Sequence, residues 1–278
     1  MRWDFCMQGN EPPEALRRAL WLESIGNLEA EAAFSALCNA DEPAVRAGAW
    51  RGVAYYRMQR GETAAALEAL ERVVETGDPE ETPRALANIA TCRDDAGESE
   101  AARVAYETAI AYDHPRHSAR AKVNLAQMLD REGRKEAAAA LFQEVIDGES
   151  PIEAPRATVL LGILLVEAGD LQEAMERFQA AIATGDPYWS WRGSFNAGAI
   201  HYEWGEFDAA VSCFSAAASG TDEADEAGRA LVLLGLTHKE RRDLPAAKGA
   251  FERAAACGDD ETREAALQEL AVLRSLGI

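Results

Sequence analysis

One glycine recurs through this chain at a nearly fixed interval, and that interval limits the fold more than any local propensity does. Gly61, Gly97, Gly133, Gly169 and Gly205 are each 36 residues apart, and Gly26 lies 35 before the first. The column ends at Arg242, 37 residues beyond Gly205, where the glycine is replaced but a helix-breaking sequence remains. Small residues stand seven positions before each turn, at Ala54, Ala90, Ala126, Gly162, Gly198 and Gly235. Five positions after it stand Ala66, Ala102, Ala138, Ala174, Ala210 and Ala247. Nine positions after it comes a bulky apolar residue: Leu70, Tyr106, Phe142, Phe178, Phe214 or Phe251. Self-similarity at this period signals stacked repeats, in which each unit buries its apolar face only against its neighbours.

Each cycle reads as two helices. Ala154 to Ala168 carries Val159, Leu161, Leu165 and Val166. Gly169-Asp170 breaks it, and Leu171 to Ile182 carries Ala174, Phe178 and Ala181 at three- and four-residue spacing. The cycle closes on Gly185-Asp186-Pro187, a glycine helix stop followed by a side chain able to cap the next helix; Gly77-Asp78-Pro79 and Gly258-Asp259 repeat the device. The small columns are expected where the two helices of a hairpin touch, so that a larger side chain would wedge them apart.

In one cycle the set Thr158, Leu161, Gly162, Leu165, Gly169, Asp170, Ala174, Phe178 and Ala181 resembles the tetratricopeptide repeat, in a variant with two extra residues in the turn between repeats. The resemblance implies an all-α, right-handed α-solenoid of about seven helix-turn-helix repeats. Residues 1–11 form an N-terminal extension and 12–259 the solenoid, with a divergent first repeat at 12–41 and six full repeats over 43–259; residues 260–278 form a C-terminal capping helix. In the first repeat Gly26 and Leu28 fit, but the small column falls on Glu31. The cap is expected to bury Ala266, Leu267, Leu270 and Leu273. Departures from the family pattern include the displaced repeat-ending proline, and Arg57, Arg93, His201 and His238 where a tyrosine is usual.

In this family the first helix of each repeat lines a concave groove, with the residues 13, 10, 6 and 3 before the turn pointing into it. The first of these columns reads Arg84, Arg120, Arg156, Arg192 and Arg229. Guanidinium groups present a flat fork of donors suited to carboxylate or phosphate, so the row could grip an acidic peptide segment. Salt bridges to acids a few residues upstream (Asp78, Glu80, Asp186, Asp222, Glu223) would produce the same column and are the slightly favoured alternative. The remaining groove columns are polar in the early repeats and apolar later, at Val159, Ile163, Val166, Phe195, Tyr202, Val232 and Leu236. The other stripe already supplies a core, so these later positions are expected to be a partner surface. Between Tyr188 and Phe207 lie seven of the chain's 20 aromatic residues, and Tyr, Trp and Arg dominate binding hot spots. Trp189, Trp204 and Phe207 are expected to staple neighbouring repeats. Phe195 and Tyr202 are expected to bind. Some family members clamp a terminal carboxylate with basic and asparagine side chains. Here Arg51, Asn88 and Arg120 match that pattern, whereas Tyr55 and Asn124 do not, so no clamp is assigned.

Composition narrows the function classes. Twenty-eight basic against 48 acidic residues give a formal charge of −20, a field that repels nucleic acid and anionic membranes. No apolar run has the length of a membrane span. Met1-Arg2-Trp3-Asp4-Phe5 lacks the apolar stretch of a secretory leader. Five scattered cysteines without a CxxC pair suit reduced thiols, and a cytoplasmic location is expected; Cys92 and Cys213 are expected in the core. No nucleotide-binding, hydrolase or metalloprotease motif is present, so no cofactor and no enzyme activity are expected. His114 and His117 flank Pro115 in a turn, with no cysteine or further histidine nearby in sequence, and no metal site is expected. His201 and His238 hold equivalent places in adjacent repeats and could approach each other. The leading expectation is a non-enzymatic adaptor that binds an extended peptide or a partner helix in the groove. The alternative is a structural subunit of a larger or self-associated assembly. The N-terminal Trp3-Asp4-Phe5 segment could itself fill the groove.

Overall fold

The computed structural model describes residues 13–148 and 150–278, so the N-terminal extension and Cys6 lie outside the described residues. Within them the chain forms fifteen helices and no strand. The first hairpin is α1 (Glu14–Ser24) with α2 (Ala30–Ser35). The pairs α3 (Pro43–Gln59) with α4 (Thr63–Glu75) and α5 (Glu81–Asp95) with α6 (Ser99–Ala111) follow, then α7 (His117–Arg131), which ends the first unit, and α8 (Lys135–Asp147), which begins the second. Then come α9 (Glu153–Ala168) with α10 (Leu171–Ala183), α11 (Pro187–Glu203) with α12 (Phe207–Ser219), and α13 (Ala224–Glu240) with α14 (Leu244–Cys257), before the closing α15 (Asp260–Ser275). The fold is an all-α solenoid. The described helices group into two compact units, one ending at Glu132 and the other running from Gly133.

The turn column works as a left-handed stop. Gly26, Gly61, Gly97, Gly133, Gly169 and Gly205 have φ between 66° and 87°. The residue after the glycine returns its amide to a carbonyl five positions back, as in Glu62 N–H to Arg57 O at 2.9 Å and Asp170 N–H to Leu165 O at 2.9 Å. This caps the orphan carbonyls of the first helix. Arg242 adopts the same conformation with φ 60°, against the preference of a residue bearing a Cβ. Between repeats Asp78 Oδ1 accepts the amides of Glu80 and Glu81 at 3.0 and 2.8 Å, and Asp186 Oδ1 those of Tyr188 and Trp189 at 3.0 and 2.9 Å. Each satisfies two N–H groups at the start of the next helix.

The columns interlock as the sequence predicts. All six alanines five positions after the turn are fully buried, and so are the bulky residues four positions further on. A Cβ built on Gly162 would meet the Phe178 ring at 2.6 Å, on Gly198 the Phe214 ring at 2.9 Å, and on Gly235 the Phe251 ring at 2.5 Å. Each phenyl ring therefore lies on bare backbone of the paired helix. In the first repeat Ala30 and Phe34 fill the small and bulky places one residue early, with both fully buried, and Glu31 is released to pair with Arg60. Leu28 is almost wholly exposed. In the cap Ala266, Leu270 and Leu273 are buried, but Leu267 faces outward and not the core as predicted. Cys92 is buried as predicted, whereas Cys213 is only half-buried at the edge of its cluster.

Two glycine positions test this account. Gly235→Val should lower stability by about 1–3 kcal/mol through overpacking against Phe251. Gly249→Ala, on α14 with open space around its missing Cβ, should raise it by about 0.5–1 kcal/mol. Arg242→Gly should also stabilise, by about 1 kcal/mol. Thermal melts followed by circular dichroism would rank the three against the parent chain.

Candidate functional site

The predicted face lies on the first helices of the repeats, and its character differs between the two units. In the N-terminal unit it is occupied by polar contacts within the protein. Glu81 is shared by Arg51 and Arg84, each at 3.3 Å. Arg120 donates to Asn88 Oδ1 at 3.1 Å, Asn124 to Thr91 Oγ1 at 3.4 Å, and Arg131 pairs with Asp94, so α7 is tied to α5 along its length. Arg51 and Asn88 are buried. The side chains nearest to a carboxylate clamp are thus already engaged within the protein.

In the C-terminal unit two of the three column arginines lie on aromatic rings. Arg156 pairs with Glu153 one turn earlier at 3.3 Å. Arg192 donates to the Tyr188 hydroxyl at 2.8 Å and lies over the Tyr188 and Trp189 rings at 5.6 and 5.8 Å. Arg229 is exposed and lies 5.8 Å above the Phe195 ring. Phe195 in turn stacks on Trp191 at 5.8 Å and meets Phe214 edge-on at 6.0 Å. A guanidinium over a ring contributes about 0.5–2 kcal/mol and holds the fork in a fixed plane. The upstream acids Asp78 and Asp186 act as helix caps; the acids paired with Arg84 and Arg156 are Glu81 and Glu153, three residues back on the same helices.

The apolar members divide. Phe195, Tyr202, Ile163 and Leu236 are half-buried, resting on core clusters with part of each surface open. Burial pushes the Tyr202 phenol up from its ordinary value. Val159 requires a correction. It is fully enclosed in the core with Ala174, Phe178 and Ala197 and offers no surface to a partner. Its helix packs against α8, α10 and α11, and Val159 is enclosed among them, whereas Phe195 at the same place in the next repeat stays half-open. Trp191 was not singled out in the sequence. It is buried, and its indole N–H makes no hydrogen bond. Phe207 meets Tyr202 edge-on at 5.7 Å, and Trp204 stays partly exposed beside His201. His201 and His238 each face an acid of their own turn, Glu206 at 2.6 Å and Asp243 at 4.0 Å.

A second cluster joins two inter-repeat turns of the N-terminal unit. His114 stands where the earlier turn has Asp78 and caps the next helix in the same way, its Nδ1 accepting the amides of Arg116 and His117 at 3.3 and 3.2 Å. Its Nε2 therefore carries the ring hydrogen and donates to Glu80 Oε2 at 2.8 Å. His117 stacks on His114, with centroids 4.5 Å apart, and is 2% exposed. Its Nε2 is 3.5 Å from Glu80 Oε1, and neither ring nitrogen makes a hydrogen bond. Burial, reinforced by the positive charge of Arg84, pushes the His117 imidazole down from 6.5 to about 3.

That depression has a definite sign. Between pH 6.5 and about 3 the unfolded imidazole binds a proton that the folded one refuses, so its contribution is complete above pH 6.5 and is lost as pH falls. In EDTA, His117→Gln should lessen the loss of stability between pH 7 and 4.5 by about 1–2 kcal/mol. Urea unfolding at the two pH values would measure it.

The comparisons with known proteins fit this architecture. A tetratricopeptide repeat family profile matches residues 88–151. No curated protein matches the chain. Among solved structures, Pseudomonas aeruginosa pilF superposes with a TM-score of 0.61 at 22% identity, over 78% of this chain and 95% of that one. A tetratricopeptide repeat protein from Parabacteroides merdae gives 0.58 at 16% identity, over 94% and 98%. YrrB, described as a TPR protein with an unusual peptide-binding site, gives 0.51 at 19% identity, over 73% and 98%. Among the described residues no helix is long and apolar enough to cross a membrane. With left-handed turns at the repeat interval, alanine and phenyl columns that interlock, and a profile match over residues 88–151, the chain has the fold of tetratricopeptide repeat proteins.

Proposed function

We propose that this protein is a non-enzymatic adaptor. Its C-terminal unit binds an extended peptide or a helix of another protein on the first-helix face, with Phe195 and Tyr202 as apolar anchors and Arg192 and Arg229 as oriented cations. Ile163 and Leu236 extend the apolar part, and Arg156 flanks it. The observation that carries this reading is the seating of Arg192 and Arg229 on aromatic rings. It fixes two forked donors beside half-open apolar side chains, which is the combination found at hot spots. A carboxylate on the partner would meet a preset fork, while its apolar side chains would cover Phe195 and Tyr202. Arg84 and Arg120 are engaged with Glu81 and Asn88 and serve to fix the N-terminal unit. The peptide-binding description of YrrB supports the same reading by analogy of fold.

The test is affinity capture from native lysate with mass spectrometry, comparing the parent chain with an Arg192→Glu, Phe195→Ala double variant of unchanged helicity. A partner held by the parent should be lost from the variant, each substitution alone weakening binding about 30-fold. Equal retention by both would move the site off this face and favour a structural subunit.

A further inference from the structure

We propose that Glu80, His114 and His117 form a binding site for a divalent transition-metal ion of the zinc class. Zinc holds imidazole nitrogen and carboxylate oxygen at about 2.0–2.2 Å in a tetrahedron. Donor atoms on such a tetrahedron lie about 3.3 Å apart, by simple geometry from those bond lengths. Here one donor atom from each of the three residues lies within 4.8 Å of the others. The two direct nitrogen–oxygen separations to Glu80 are 2.8 and 3.5 Å. To hold the ion the two stacked rings must turn so that one nitrogen of each and a Glu80 oxygen converge, with one position open to water.

The second observation is His117 itself. It is buried to 2% exposure beside the Glu80 carboxylate, and neither nitrogen is hydrogen-bonded. A buried polar group without a partner is costly, and a bound ion is one of the few explanations that removes the cost. Glu80 is largely exposed and gives an entry path from solvent. Imidazole and carboxylate donors favour zinc and its transition-metal neighbours over calcium or magnesium.

Ligation rearranges one hydrogen. His114 Nε2 must release the hydrogen it donates to Glu80, and Nδ1 must take one up, so no net proton is lost from the ring. The cost is the helix cap, two long amide contacts at 3.2 and 3.3 Å. A cap is worth far less than coordinate bonds to zinc. The ion would join the turn preceding α5 to the turn preceding α7.

The test is calorimetric titration of the untagged full chain, stripped with EDTA and kept reduced, with zinc chloride. One ion per chain should bind, and Glu80→Gln and His117→Gln should each weaken binding about tenfold or more. Cobalt substituted for zinc should give a tetrahedral spectrum without a thiolate charge-transfer band. The exposed Glu80 variant keeps the test decisive if His117→Gln fails to fold. No saturable uptake, undiminished uptake in both variants, or a thiolate band would each overturn the assignment.

Discussion

A phenyl ring lying on bare backbone sets the distance between paired helices, and the rest of the C-terminal unit is built to that distance. Phe178 on Gly162, Phe214 on Gly198 and Phe251 on Gly235 leave no room for even one added carbon. The first hairpin uses the same device across its boundary, where Phe34 fills the space above Gly52. Close approach brings the alanine columns into contact and excludes water from a core that is rich in alanine and has few large side chains. The turns then need only reverse the chain within a fixed length. Left-handed glycine at every full cycle but the last does so without strain.

With the scaffold set by small residues, the first-helix face is left to vary. In the N-terminal unit it became a polar lattice tying α5 to α7, through Arg120 with Asn88 and Asn124 with Thr91. In the C-terminal unit Arg156 pairs with Glu153, while Arg192 and Arg229 lie on Tyr188, Trp189 and Phe195. Within one column of one residue type, some side chains thus pair with acids or amides and others lie on ring faces, according to what their neighbours supply.

The repeat, its turns, the caps at Asp78 and Asp186 and the interlocking columns were legible because a period of 36 samples each position six times. What was not legible depends on the helices that pack around a position. Val159 shares an apolar stripe with Ile163 and Val166, and only the packing of α9 against three other helices shows that it is enclosed. Leu28 matched the pattern by register, but the first turn is one residue shorter, and Ala30 and Phe34 took the core places instead. The Glu80–His114–His117 cluster is not visible as a local motif because Glu80 stands about one repeat before the two histidines. The available signal was positional: His114 is 36 residues after Asp78 and inherits its capping role.

The irregular spacings at the two ends show what this design tolerates. A cycle of 35 residues at the start and one of 37 near the end are each absorbed in a connection between helices, and the ring-on-backbone contact of Phe251 survives beyond the longer one. Because the helices of each unit contact those one or two places away in sequence, such a slip is not transmitted through the unit. An insertion or deletion in a connection changes the local offset of one hairpin and leaves the registry of the others intact. Length variation among descendants of such a chain should accumulate in whole hairpins and in single residues at the connections, while helix interiors keep their length.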